Sequence, residues 1–88
     1  MQRDVALLYA VRAKLELRFG ALEQALACTR LGMRLDPRIP LLHHVRGLVF
    51  LEQRAYEKAL KAFERAAQAD PDYVPPILWH GMTQAIAG

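Results

Sequence analysis

Serine and asparagine are both missing from this 88-residue chain, and cysteine occurs once, as Cys28. Without serine there is no serine triad, and a single thiol can neither close an internal disulfide nor build a multi-cysteine zinc site. No apolar run approaches the roughly 18–20 residues that cross a bilayer, because Arg12, Lys14, Glu16 and Arg18 interrupt the first apolar stretch. The run from Val5 to Val11 is short, follows Asp4 and leads to no small-residue cleavage site, so no secretory leader is expected and a cytoplasmic location is. Strand-like alternation and phosphate-cradling glycine loops are missing too. Cys28 sits among apolar neighbours in a helical stretch, and His43 and His44 are adjacent and so point apart on a helix. Pairing His43 with His80 leaves a metal without enough ligands. No catalytic residue, metal site or cofactor is expected.

What the chain does have is apolar side chains: 53% of its residues are hydrophobic and 24% charged, more apolar than one small core needs. The net charge of +3 is uneven, with seven Lys and Arg against four Asp and Glu in residues 1–39 and five of each in residues 40–88. Leu8, Val11, Arg12, Leu15 and Phe19 fall on one face of a helix over residues 5–19, which reads as its core side, and Gly20 supplies a stop. A second helix over residues 22–35 ends at Asp36-Pro37, because proline cannot continue the hydrogen-bond ladder. A third starts at Pro40, with Leu42, Val45, Arg46, Val49 and Phe50 on one face. A fourth runs from Tyr56 to Asp70-Pro71, with Glu57 and Lys61 spaced for an ion pair, and a fifth opens near Pro75-Pro76.

Shifted by 34 positions the chain matches itself, at Leu8/Leu42, Val11/Val45, Arg12/Arg46, Ala25/Ala59, Leu26/Leu60 and Pro37/Pro71 among others. Such a period marks a solenoid of stacked helix pairs. Residues 40–73 carry Gly47 where two helices cross, Phe50 three residues on, and Ala59, Phe63, Ala66 and Pro71 in the second helix. This unit resembles the tetratricopeptide repeat. Residues 6–39 are a fainter copy, with Tyr9, Ala13, Ala25, Gly32 and Pro37 in register but Glu16 and Thr29 at the two aromatic places. Residues 74–88 keep a partial third unit, with Ile77 and Gly81 in place.

The resemblance implies an all-α, right-handed α-solenoid of antiparallel helix pairs with about five helices, forming a single domain over residues 1–88. It also implies that the first helix of each pair lines a concave face. The stripes that would form this face are Leu7, Ala10, Lys14, Leu17 and Arg18, then Leu41, His44, Leu48, Leu51 and Glu52, then Leu78 and Met82. The same apolar stripe would also suit burial under the terminal helix or a neighbouring chain, and either reading means protein contact. The function expected is therefore an interaction scaffold or chaperone-like adaptor that takes a peptide or amphipathic helix of a protein partner. Some relatives in this family clamp a terminal carboxylate with asparagine and lysine or arginine, which a chain without asparagine cannot do in that form. The rival reading, nucleic-acid binding by the basic first unit through Arg30, Arg34 and Arg38, carries less weight because helical-repeat readers use many units, each reading about one base. Residues 74–88 carry no charge, so that surface asks for a longer array, self-association into a homo-oligomer, or a partner.

Overall fold

The structure, a computed structural model, describes residues 2–70. They form α1 (Gln2–Arg18), α2 (Leu22–Leu35), α3 (Pro40–Glu52) and α4 (Tyr56–Ala69), and no strand occurs among the described residues. The fifth helix expected over residues 74–88, its suggested self-association surface, and Leu78 and Met82 lie outside the described residues. No described helix is long and apolar enough to cross a membrane.

Local chemistry sets the helix ends. The Gly20 N–H bonds the Leu17 carbonyl at 3.0 Å and the Ala21 N–H bonds that of Glu16 at 2.9 Å, with Gly20 at φ 78°. These two bonds make a Schellman stop, which needs a left-handed residue. One repeat later the same stop closes α3, through Arg54 to Leu51 at 3.0 Å and Ala55 to Phe50 at 2.8 Å, but Arg54 itself takes the left-handed φ of 59°. A side chain there costs roughly 1–2 kcal/mol, more than the roughly 0.5–1 kcal/mol of extra entropy that glycine loses. Arg54→Gly is therefore expected to stabilise the fold by about 0.5–1 kcal/mol. A chemical denaturation midpoint at or below that of the wild type would contradict this.

The missing serine and asparagine show at the helix starts. Ala21, Ile39 and Ala55 stand at the N-cap positions of α2, α3 and α4 and none offers a side-chain cap. At α3 the loss is softened by Pro40, which has no N–H to satisfy.

Three-residue links fold α1 against α2 and α3 against α4, and α3 also packs on both helices of the first pair. The two pairs meet through two buried clusters. One joins Ala6 and Ala10 to Ile39 and Leu42, and the other joins Ala13 and Ala25 to Val45 and Val49. Cys28 packs against the second cluster. Alanine at positions 6, 10 and 13 lets α2 and α3 approach α1 closely.

That alanine side corrects the core face expected for α1. Leu8, Val11, Leu15 and Phe19 are 69%, 51%, 48% and 86% exposed. Their repeat partners Leu42, Val45 and Val49 are fully buried, because α1 and α2 lie over α3, whereas nothing among the described residues covers the corresponding side of α1. Periodicity locates an apolar face but cannot say whether another unit sits on it. Glu57 and Lys61, although spaced for an ion pair, do not approach within 4.0 Å; the pairs among the described residues are Arg3–Asp36, Arg12–Glu16 and Arg38–Asp36.

Within the second pair the crossing rests on one glycine. A Cβ added at Gly47 would stand 2.6 Å from Cδ1 and Cζ of the fully buried Phe63, and nearer still to Cε1. Between the pairs, Thr29 Oγ1 donates to the Leu26 carbonyl at 2.7 Å and accepts from Arg46 Nη1 at 3.3 Å. Thr29, standing where the repeat pattern favours an aromatic, thus gives the half-buried Arg46 a partner while the arginine stem packs.

Candidate functional site

Leu17, Arg18, Gly20 and Leu22 at the end of the first helix and the following turn face Leu48, Leu51 and Glu52 on α3, around a cavity of about 520 Å³. That is the size of a small-ligand pocket or of a few peptide side chains. Its walls follow from sequence spacing: Leu48 and Leu51 lie three apart on α3 and Leu17 comes last among the apolar residues of α1, so the stripes converge where the Gly20 turn reverses the chain. Leu17 and Leu22 back onto the cluster around Val45 and Val49, which fixes the floor. Arg18 and Glu52 are exposed at the rim with opposite charges.

Five of the expected contact residues, Leu17, Arg18, Leu48, Leu51 and Glu52, are thus brought together. Further along the two helices, Leu7 and Lys14 are exposed, Leu41 is half-buried against both clusters, and His44 lies near Lys14, whose charge acts on it. Ala10 is fully buried among Ala6, Ile39 and Leu42, so its side chain does not reach that surface. Spacing places Ala10 on the α1 stripe, but α2 and α3 close over it. Gly20 and Leu22, which complete the cavity, were signalled only as turn and helix start.

Two histidines of α3 are shifted by their surroundings, His44 on the side of this surface and His43 on the far side of the helix. His43 Nε2–H donates to the Pro37 carbonyl at 2.6 Å, which fixes the neutral tautomer and leaves Nδ1 as a bare acceptor. Burial pushes its pKa below the ordinary 6.5, and Arg65 and Arg46 push the same way, against the bond to Pro37. Burial also lowers that of His44, whose ring lies 6.0 Å from that of Phe63, and Lys14 adds to the effect. Asp36 is lowered from 3.8, chiefly by the Arg38 N–H that it accepts at 3.0 Å, with burial opposing and the Arg38 and Arg3 charges assisting.

All three shifts act in one direction. A histidine pKa depressed by folding means that below about 6.5 the unfolded chain binds more protons, so stability is complete above that value and falls as the medium is acidified. The Asp36 contribution is lost at lower pH, below 3.8. Thermal melts should therefore decline from pH 7.5 to 5.5, and His43→Gln should flatten that decline; an unchanged slope in the variant would remove His43 from the account.

The Gly47–Phe63 crossing and the stop after α3 fall within one repeat, and the model of the family described as tetratricopeptide repeat matches residues 40–73. The chain carries a tetratricopeptide repeat. Two solved tetratricopeptide structures share the fold. One is the second TPR of Spaghetti (RPAP3) bound to the HSP90 peptide SRMEEVD, with TM-score 0.90 and 24% identity over 98% of this chain and 80% of that one. The other is the Arabidopsis OM64 TPR domain, with TM-score 0.90 and 14% identity over 99% of this chain and 72% of that one. At these identities the likeness is one of fold, an all-α tetratricopeptide solenoid.

Proposed function

We propose that this tetratricopeptide module is a protein-interaction adaptor whose α1–α3 surface receives an apolar peptide segment or the apolar face of a partner helix. The observation that carries the reading is the cavity of about 520 Å³ between Leu17, Leu22, Leu48 and Leu51, with Arg18 and Glu52 at its edge. Apolar anchors would fill it, and the two rim charges would set direction and register. The peptide held by the RPAP3 repeat supports peptide recognition by this fold. Its acidic sequence does not transfer directly, because a chain without asparagine cannot form the asparagine-containing carboxylate clamp of that family. No chemistry is assigned to the module, and a chaperone role is the same recognition applied to a partner's exposed segment.

Selection from a displayed random-peptide library, followed by backbone amide shift mapping with the best binder, tests this. Shifts centred on Leu17, Leu48, Leu51 and Glu52 are expected, and binders rich in Leu, Ile or Phe should outcompete SRMEEVD. Shifts confined to other surfaces would reject the assignment.

A further inference from the structure

Around α3 from that cavity, on its opposite side, His43, Arg46 and Phe50 face Lys58, Lys61 and Arg65 of α4 across a hollow of about 260 Å³. Each set follows i, i+3, i+7 spacing, so each forms one stripe, and the two stripes run along the α3–α4 seam over the buried Ala62. Among the described residues no carboxylate lines the hollow, and none of its four cations is in an ion pair.

The cations are also partly fixed. Arg46 donates to Thr29 Oγ1, and its guanidinium lies 5.3 Å from the Phe50 ring centroid. Lys58 Nζ lies 5.9 Å from the same centroid. Arg46 is half-buried, and the charges of Arg30 and Arg65 bear on it besides its burial. Surfaces ordinarily intersperse the two signs of charge, so four cations around one concavity, with no carboxylate partner among the described residues, make a local positive potential that an anion relieves.

We propose that the hollow between α3 and α4 is a binding site for a phosphate group, gripped by the Arg46 and Arg65 guanidinium forks and by the Lys58 and Lys61 ammonium groups. A carboxylate would bring a single charge to four cations, whereas a phosphate monoester brings about −1.5 to −2 and three acceptor oxygens. Arginine matches the oxygen geometry of phosphate in pairs of hydrogen bonds, and lysine adds compact charge. The site lies apart from the peptide cavity and does not depend on it.

Isothermal titration of the whole chain with inorganic pyrophosphate, at ionic strength held constant with sodium chloride, tests the proposal against the double variant Lys58→Gln/Lys61→Gln. Both lysines are exposed and glutamine matches lysine in helix propensity, so the variant keeps the fold, which circular dichroism verifies. Saturable binding by the wild type, weakened at least tenfold in the variant, with amide shifts at Arg46, Phe50 and Arg65, is the expected result. No saturable binding, equal affinity in the variant, or equal affinity for a hexa-aspartate peptide overturns it. Two further arms separate the sources of the phosphate. Tighter binding of a phosphoserine peptide than of pyrophosphate upholds the site and assigns it to a protein partner. Tighter binding of phosphatidylcholine vesicles containing phosphatidic acid upholds it and assigns it to a lipid surface.

Discussion

Gly47→Ala should melt well below the wild type, although alanine is the better helix former. The substitution gains about 1 kcal/mol of helix propensity at an interior position. Against this, the new Cβ would lie 2.6 Å from two atoms of the Phe63 ring and closer to a third, inside a fully buried contact where the ring has no solvent side to turn to. Overpacking of this kind costs about 1–3 kcal/mol, so the net loss expected is about 1–2 kcal/mol, or roughly 5–15 °C in melting temperature for so small a domain. Gly47→Leu adds three more carbons to the same space and should exceed the margin of about 3–5 kcal/mol that a core of this size supplies, unfolding the α3–α4 pair. Gly32→Ala is the control: its Cβ would meet mainly the terminal Cδ2 of Leu42 at 2.7 Å, which a rotamer change relieves more easily than an aromatic ring can be moved. Trimming the ring in Gly47→Ala/Phe63→Leu should recover part of the loss, since the two positions share the clash. If Gly47→Ala melts at or above the wild type, the close crossing of α3 and α4 is not what sets stability here.

Leu48→Glu should lower the affinity of a groove-binding peptide about 10- to 100-fold while leaving helicity intact. Leu48 is half-buried in the cavity wall, with Leu51 beside it on α3 and Leu17 and Leu22 opposite. Withdrawing a leucine from an apolar contact removes about 1.5–3 kcal/mol, and 1.36 kcal/mol is tenfold in affinity. The glutamate can reach water from a half-buried position, so the fold itself should lose only about 1 kcal/mol. Fluorescence polarisation with the selected peptide measures the first effect and denaturant titration the second. Unchanged affinity in a folded Leu48→Glu chain would sink the groove assignment while leaving the α3–α4 site untouched.

Much of this architecture is legible in the sequence because a repeat reports itself twice. The offset of 34 pairs Gly20 with Arg54, so a left-handed stop after α3 is signalled even though arginine gives no hint of one alone. Gly47 and Phe63 likewise announce their contact by size, one having no side chain and the other needing the space. Leu8 and Leu42 show where such reading stops. They are the same residue at the same repeat position, yet one is exposed and the other buried, since burial depends on the neighbouring unit and not on the letter. Charge misleads differently: residues 40–88 are balanced along the chain, but α4 turns Lys58, Lys61 and Arg65 toward Arg46, a segregation that a running total conceals.

The alanine side of α1 has a consequence for local opening. In a stack with nearest-neighbour coupling, each helix is held by the interfaces it makes, and among the described residues α3 makes them with α1, α2 and α4, whereas α1 makes them with α2 and α3. Its fully buried residues are Ala6, Ala10 and Ala13, the smallest apolar side chains available for such contacts. Amide hydrogens of α1 should therefore exchange with solvent through openings that leave α3 protected. Leu17 and Arg18 belong to that loosely held helix and Leu48 and Leu51 to the firmly held one, so any ligand bridging them also ties α1 down, and its binding energy is measured in part as slower exchange along α1.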